Sequence, residues 1–249
     1  MTRPQLEQFE IHRVFPAALL GHDVSFTNAS LFMLLTLVGI WAFLAIGMRR
    51  ATLVPGRWQA SVEMFHEFIV GMVDENIGHG GRKYVPFIFA LFVFILFANI
   101  IGLLPFAFAV TSHIWVTFAF AAFIFLLCIA IGLARHGMKF FTLFVPPQTP
   151  IVLLPLIVLI ELISFLSRPL TLSVRLFANM TAGHILLQVF AGFVVSLGLA
   201  GGFFAVLGVL PLFMNVALYA LELLVAVVQA YVFALLTCVY LNDSINLSH

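Results

Sequence analysis

Charge is what this sequence lacks. Its 249 residues include 11 Lys or Arg and 10 Asp or Glu, so only 8% are charged, against ~25% in a soluble domain. A surface facing water needs far more, which excludes a soluble enzyme, a disordered tail and a secreted scaffold. Cysteine is scarce too: Cys128 and Cys238 both lie in apolar runs without a CxxC spacing, so they read as small buried hydrophobes, not a redox pair or metal site. A net charge of +1 leaves no basic surface for nucleic acid. The glycine cluster Gly78-His79-Gly80-Gly81 lacks the following Gly-Lys-Ser/Thr of a phosphate-binding loop. What the chain does have is apolar bulk, with 63% hydrophobic residues and 29 phenylalanines. The composition is that of an integral membrane protein.

In hydrocarbon only helices and closed barrels satisfy every backbone N–H and C=O. Barrel strands would alternate apolar and polar residues. Here the apolar runs are continuous and ~20 residues or longer, which selects helices. Val24 to Met48 carries no charge and forms a first span over 26–48, with Asn28 or Ser30 as N-cap, after an external segment 1–25. Tyr84 to Ala134 holds 51 uncharged residues, roughly 76 Å of helix against a ~30 Å core. The run must fold back, and Gly102, Pro105 and Thr111-Ser112-His113 mark the bend of a hairpin over 84–134. Between these lies a different segment, 57–76. Val62, Phe65, Ile69, Met72 and Val73 recur there at helical spacing opposite Glu63, His66, Glu67 and Asp74, the pattern of an amphipathic helix at the membrane interface.

In the second half, Thr149 as N-cap and Pro150 as first helical residue start a helix that runs to about Gly198. Gly198, Gly201 and Gly202 break it, and a last helix follows over about 203–241. Both are too long to cross upright, and Pro155, Pro169 and Pro211 offer kink points. The expected fold is a single all-α integral membrane domain with five crossings and one interfacial helix, the last two crossings (149–241) long and steeply tilted. Arg49, Arg50, Arg57, Arg82, Lys83, Arg135 and Lys139 fall on one side, which places the C-terminus inside and the N-terminus outside. No charged-then-apolar signal pattern opens the chain, and no cleavage is expected.

Four charges fall inside the long helices: Glu161, Arg168, Arg175 and Glu222. Each costs ~2.5–3.5 kcal/mol or more at membrane depth. They read either as ion-paired staples and snorkelling groups or as the lining of an ion path. Glu161, Arg168 and Arg175 are seven apart and share a face with Ser164, Thr171 and Asn179; Asn215, Glu222 and Gln229 form a second stripe on the last helix. His184, nine residues after Arg175, lies on the opposite side of its helix, so the faces serve two aqueous pockets with Arg175 between them. Guanidinium is not deprotonated in proteins, so Arg175 is a fixed charge. Glu222 and His184 can carry protons. Asn179 and Gln229 can hold water or hydrogen-bond a charged partner.

The run Ser167-Arg168-Pro169-Leu170-Thr171-Leu172-Ser173-Val174-Arg175-Leu176-Phe177-Ala178-Asn179-Met180-Thr181-Ala182-Gly183-His184 resembles the signature of subunit a of the F-type ATP synthase. Leu221-Glu222, Val228-Gln229-Ala230-Tyr231-Val232-Phe233, Leu236-Thr237 and Val239-Tyr240-Leu241 are similar to that family's last helix, and Asn99-Ile100-Ile101-Gly102-Leu103-Leu104-Pro105 to an earlier motif. The resemblance covers roughly residues 25–243. By that resemblance Arg175 matches the arginine facing the rotating ring of c subunits, and Asn179 and Gln229 its polar neighbours. His184 and Glu222 match a coupled pair in the exchanged order of the mitochondrial and alphaproteobacterial branch. Glu161 matches an acid of the other half-channel.

The implied mechanism loads a c-subunit carboxylate from an outer pocket lined by Asn179, His184, Glu222 and Gln229. The carboxylate unloads near Glu161 after nearly a full turn, and Arg175 separates the two pockets. The implied partners are the c-subunit ring, peripheral-stalk b subunits, other ATP synthase subunits and the lipid bilayer, with no nucleic acid. No cofactor, metal or catalytic site is expected in the chain itself. The implied location is the bacterial inner (plasma) membrane, with the mitochondrial inner membrane as second choice. A proton-coupled secondary transporter and the stator of another ion-driven motor are the alternatives. The first would predict paired repeats around a midplane site, and no such repeat is visible.

Overall fold

The computed structural model describes residues 13–15, 18–19, 22–23, 26–49, 52, 54–104, 110–144 and 153–246. Two short antiparallel pairs come first: β1 (Arg13–Phe15) with β4 (Phe26–Thr27), and β2 (Ala18–Leu19) with β3 (His22–Asp23). Every other element is helical: α1 (Asn28–Met48), α2 (Arg57–Asn76), α3 (Val85–Gly102), α4 (Ile114–His136), α5 (Leu154–Ala200), α6 (Gly202–Leu207) and α7 (Val209–Ile245). Short 3-10 turns cover His79–Tyr84, Val110–Ser112 and Gly137–Phe144. Among the described residues five helical segments are long and apolar enough to cross a membrane, the number expected.

Local chemistry sets the element ends. The first span is capped one residue earlier than expected: the Ser30 N–H donates to Thr27 Oγ1 at 3.4 Å, while Asn28 Oδ1 accepts from the Ala29 N–H at 2.9 Å. Thr27 thus supplies an acceptor that the first turn lacks. α5 ends at Gly201 and Gly202, whose φ values of +69° and +58° suit glycine and stop the ladder. Pro169 lies inside α5 without dividing it. Pro155 and Pro211 fall in first turns, where a missing N–H costs nothing. The last expected helix is broken at Gly208, between α6 and α7. At 47 residues α5 is ~70 Å long, more than twice the hydrocarbon thickness. The expected cap at Thr149-Pro150 and the bend marker Pro105 lie outside the described residues.

The chain divides into two compact units. The first comprises residues 1–42, 94–113 and 176–230. Its centre is the buried cluster of Leu103, Met180 and Ala226, and Gly39 of α1 lets Phe97 and Ile101 of α3 approach. Asn99 is fully buried, and its Nδ2 donates to the Ala226 carbonyl at 3.3 Å, tying α3 to α7.

The second unit comprises residues 43–93, 114–175 and 231–249. The apolar face of α2 (Val62, Ile69, Met72, Val73) is buried, and Phe65 and Phe68 each pack against Phe92 with the rings tilted. Gly132 sits against the Phe140 ring, where a side chain would not fit. The end of α7 is clasped by His136 Nε2, 2.8 Å from the Ile245 carbonyl, and by Arg168, whose Nη1 donates to Asp243 at 2.6 Å. The guanidinium of Arg168 also lies over the Phe165 and Tyr240 rings, at 5.5 and 5.4 Å. Cys128 and Cys238 are buried and unbridged.

Candidate functional site

Small residues bring α7 close to its neighbours. Ala226, Ala230 and Ala234 recur every four residues and are all fully buried, the spacing that lets helix backbones approach in a membrane. Glu222 and Gln229 share that inward stripe and are 4% and 3% exposed. Burying a carboxyl beside leucines and valines is expensive unless it finds a partner. Here it does not: neither Glu222 oxygen has a hydrogen-bond partner among the described residues.

Opposite Glu222, α5 presents Gly183. A Cβ there would fall 2.6 Å from Glu222 Cδ and 3.1 Å from Cγ, so glycine leaves room for the carboxyl in this position and a larger residue would displace it. Glu222 also lines a cavity of about 190 Å3 with Asn179, Ala182, Gly183 and Leu186 of α5 and Leu218, Leu221 and Val225 of α7. The Asn179 Nδ2 donates to Gln229 Oε1 at 2.9 Å. This bond fixes Asn179 at the cavity and leaves Gln229 Nε2 without a partner among the described residues. The arrangement is a neutral polar pair whose Gln229 lies two helical turns along α7 from a buried acid, with a cavity roomy enough for water. Chemically it can hold water and pass a proton, and it offers no nucleophile–base pairing.

Three of the residues singled out from sequence therefore come together: Asn179, Glu222 and Gln229. His184 follows Gly183 directly and is half-buried, but Glu222 accepts no hydrogen bond from it. Arg175 is exposed on α5, and Glu161 is half-buried two heptads earlier; neither has an ion-pair partner among the described residues. Arg168 is the staple of the two sequence alternatives, held by Asp243.

Sequence reasoning gave no role to Asn99. The signal was available, since Asn99 is the only polar side chain between Val85 and Gly102. Its partner, the carbonyl of Ala226, lies between Glu222 and Gln229 on α7. Asn215 completes the polar stripe, half-buried, with its Oδ1 unpartnered among the described residues.

Comparison with known proteins gives one consistent result. A family model described as ATP synthase A chain matches residues 30–242. The chain is 53% identical over 248 residues to an ATP synthase subunit a from Parvibaculum lavamentivorans, covering 98% of this chain and 94% of the relative. It is 50% identical to the subunit a of Pelagibacter ubique, with both chains covered in full. A third relative, from Rhodospirillum rubrum, is 50% identical over 97% of this chain and 98% of its own length.

Proposed function

The chain belongs to the ATP synthase A chain family, and from that premise we propose that it forms the stationary ion path of the complex, with two half-channels separated by Arg175. Membership makes it a multi-pass, non-catalytic subunit of the membrane sector, with other ATP synthase subunits as partners. The finer reading concerns how ions pass. A proton enters from outside through the cavity lined by Asn179 and Glu222, with His184 and Gln229 beside it. It neutralises a carboxylate on a ring of c subunits, which then turns into lipid because its charge is gone. After nearly a full turn the proton leaves through a pocket near Glu161 on the inner side. Arg175 repels a free proton and stabilises the ionised carboxylate as it passes. Peripheral-stalk b subunits hold the chain still, and the membrane is the bacterial inner membrane, with the N-terminus outside and the C-terminus in the cytoplasm.

One observation carries this reading: Glu222 is buried with both oxygens unpartnered beside a cavity. A structural acid at that depth would be paired, as Asp243 is. An acid that must gain and lose a proton is instead kept open to the cavity. The membrane potential supplies ~2.3 kcal/mol per charge per 100 mV, so a leak past Arg175 would dissipate it directly. The test is proton flux in membrane vesicles carrying Arg175→Ala, with the assembled complex quantified. Normal assembly with loss of both ATP-driven pumping and ATP synthesis is expected, and passive leak should stay level or rise. Normal coupled pumping would overturn the proposal.

A further inference from the structure

Away from that site, the second unit holds a larger cavity of about 430 Å3, and its lining joins two opposed chemistries. Most of its lining is apolar: Leu44 and Met48 from the end of α1, Val62 from α2 and Phe89 from α3. Its rim is acidic, made by Glu63 and Glu67 with His66 between them. We propose that this groove binds one zwitterionic phospholipid with a primary ammonium headgroup, seating the ammonium on Glu63 and Glu67 and the start of an acyl chain against Leu44, Val62 and Phe89.

Three observations support that occupant. The volume falls in the range of small-molecule sites and corresponds to roughly one turn of a ~10 Å helix, so it suits a chain-like ligand better than a docked transmembrane helix. The acids are positioned without being neutralised. Glu63 accepts from Gln59 Nε2 at 2.7 Å, and Gln59 is itself anchored to the Thr52 backbone through bonds of 3.1 and 3.0 Å. Glu67 is exposed, and neither acid has an ion-pair partner among the described residues. Finally, the signs are arranged for a zwitterion. Arg49 directly follows Met48 of the lining in the sequence and is exposed. A lipid phosphate meets the arginine while its ammonium meets the carboxylates, whereas a purely anionic headgroup brings no cation to Glu63 and Glu67. The groove is also preformed, because Gly47 lets α1 lie against Val62, where a Cβ would come within 2.6 Å of Cγ2.

The test uses the assembled complex in phosphatidylcholine vesicles containing a photoactivatable phosphatidylethanolamine with a diazirine on its acyl chain. Labelling should map to peptides covering 44–48 and 62–67. Unlabelled phosphatidylethanolamine should compete better than phosphatidylglycerol, by about fivefold or more, the worth of one headgroup contact. Glu67→Gln should lower labelling by a similar factor, whereas Glu75→Gln, an exposed acid of the same helix outside the groove, should not. Equal competition by phosphatidylglycerol in the wild-type complex would overturn the proposal even if a variant failed to assemble. So would unchanged labelling of Glu67→Gln, or cross-linking of the groove to a partner polypeptide in place of lipid.

Discussion

Two ionisable side chains in the long helices make opposite use of burial. Arg168 is fully provided for: Asp243 accepts its proton-bearing nitrogen at 2.6 Å, and two aromatic faces cover its guanidinium at about 5.5 Å. Glu222 is more deeply buried and has none of this. The same sequence spacing of seven residues announced both as intramembrane charges, and nothing within either helix separates them. The difference lies in what faces them. A group meant to hold a fold is saturated with partners, because a half-satisfied buried charge is worse than none. A group meant to exchange a proton must accept both states, and saturation would lock one of them.

Exchanging the two behaviours tests the contrast. The largest expected effect is from Glu222→Gln, which keeps shape and removes the titratable proton. Proton pumping per assembled complex should fall by at least about a hundredfold, the lower reach of one acid–base group, with assembly unchanged. Parallel measurement of pumping and subunit content in vesicles distinguishes this from a folding defect. Asp243→Asn should do the reverse. It leaves Arg168 without its counter-charge, lowers assembly and thermal stability, and spares the pumping of complexes that form. Because the pair is only partly covered by the chain, at 25% and 30% side-chain exposure, the cost should be nearer ~1–3 kcal/mol than the full penalty for a sealed pair. The double variant Arg168→Met with Asp243→Leu should recover most of it, read as melting temperature of the purified complex.

Gly183→Ala comes next. The new methyl meets the Glu222 carboxyl, the movable end of a side chain, so the carboxyl should swing aside before the helices part. Pumping should drop severalfold with normal assembly, and loss of assembly would show that the helices part instead. The smallest effect concerns His113, between α3 and α4. Its partial burial holds the imidazole below the usual histidine value of 6.5. The neutral form is favoured in the fold, so stability is full above pH 6.5 and declines as the pH falls below it. Melting curves at pH 7.5 and 5.5 should show a smaller acid-induced drop in His113→Gln than in the parent chain.

What the sequence could disclose divides along the same line. Continuous apolar runs dictate helices at membrane depth, so α1 over Asn28–Met48 was legible from its charge-free run and the amphipathic α2 over Arg57–Asn76 from its periodicity. The polar stripe of Asn215, Glu222 and Gln229 was legible for the same reason, since spacing within a helix is fixed by its pitch. Contacts between helices were not. Nothing local says that Arg168 meets Asp243, 75 residues on, or that Asn99 meets the Ala226 carbonyl, 127 residues on. The break at Gly208 and the cap from Thr27 turn on single hydrogen bonds that pattern arguments do not resolve. Gly183 could be named as glycine but not as a necessity, because its reason is a side chain on another helix.

The clasp on Arg168 also sets a clock for biogenesis. The arginine leaves the ribosome 75 residues before its aspartate, which at 5–20 residues per second is roughly 4–15 s of synthesis. Throughout that interval the nascent chain carries a membrane-span cation with no counter-charge from residue 243. Only a chain translated through Asp243 can form this pair. A product that stops before residue 243 keeps the arginine without that partner, so the clasp couples the middle of α5 to the last turn of α7.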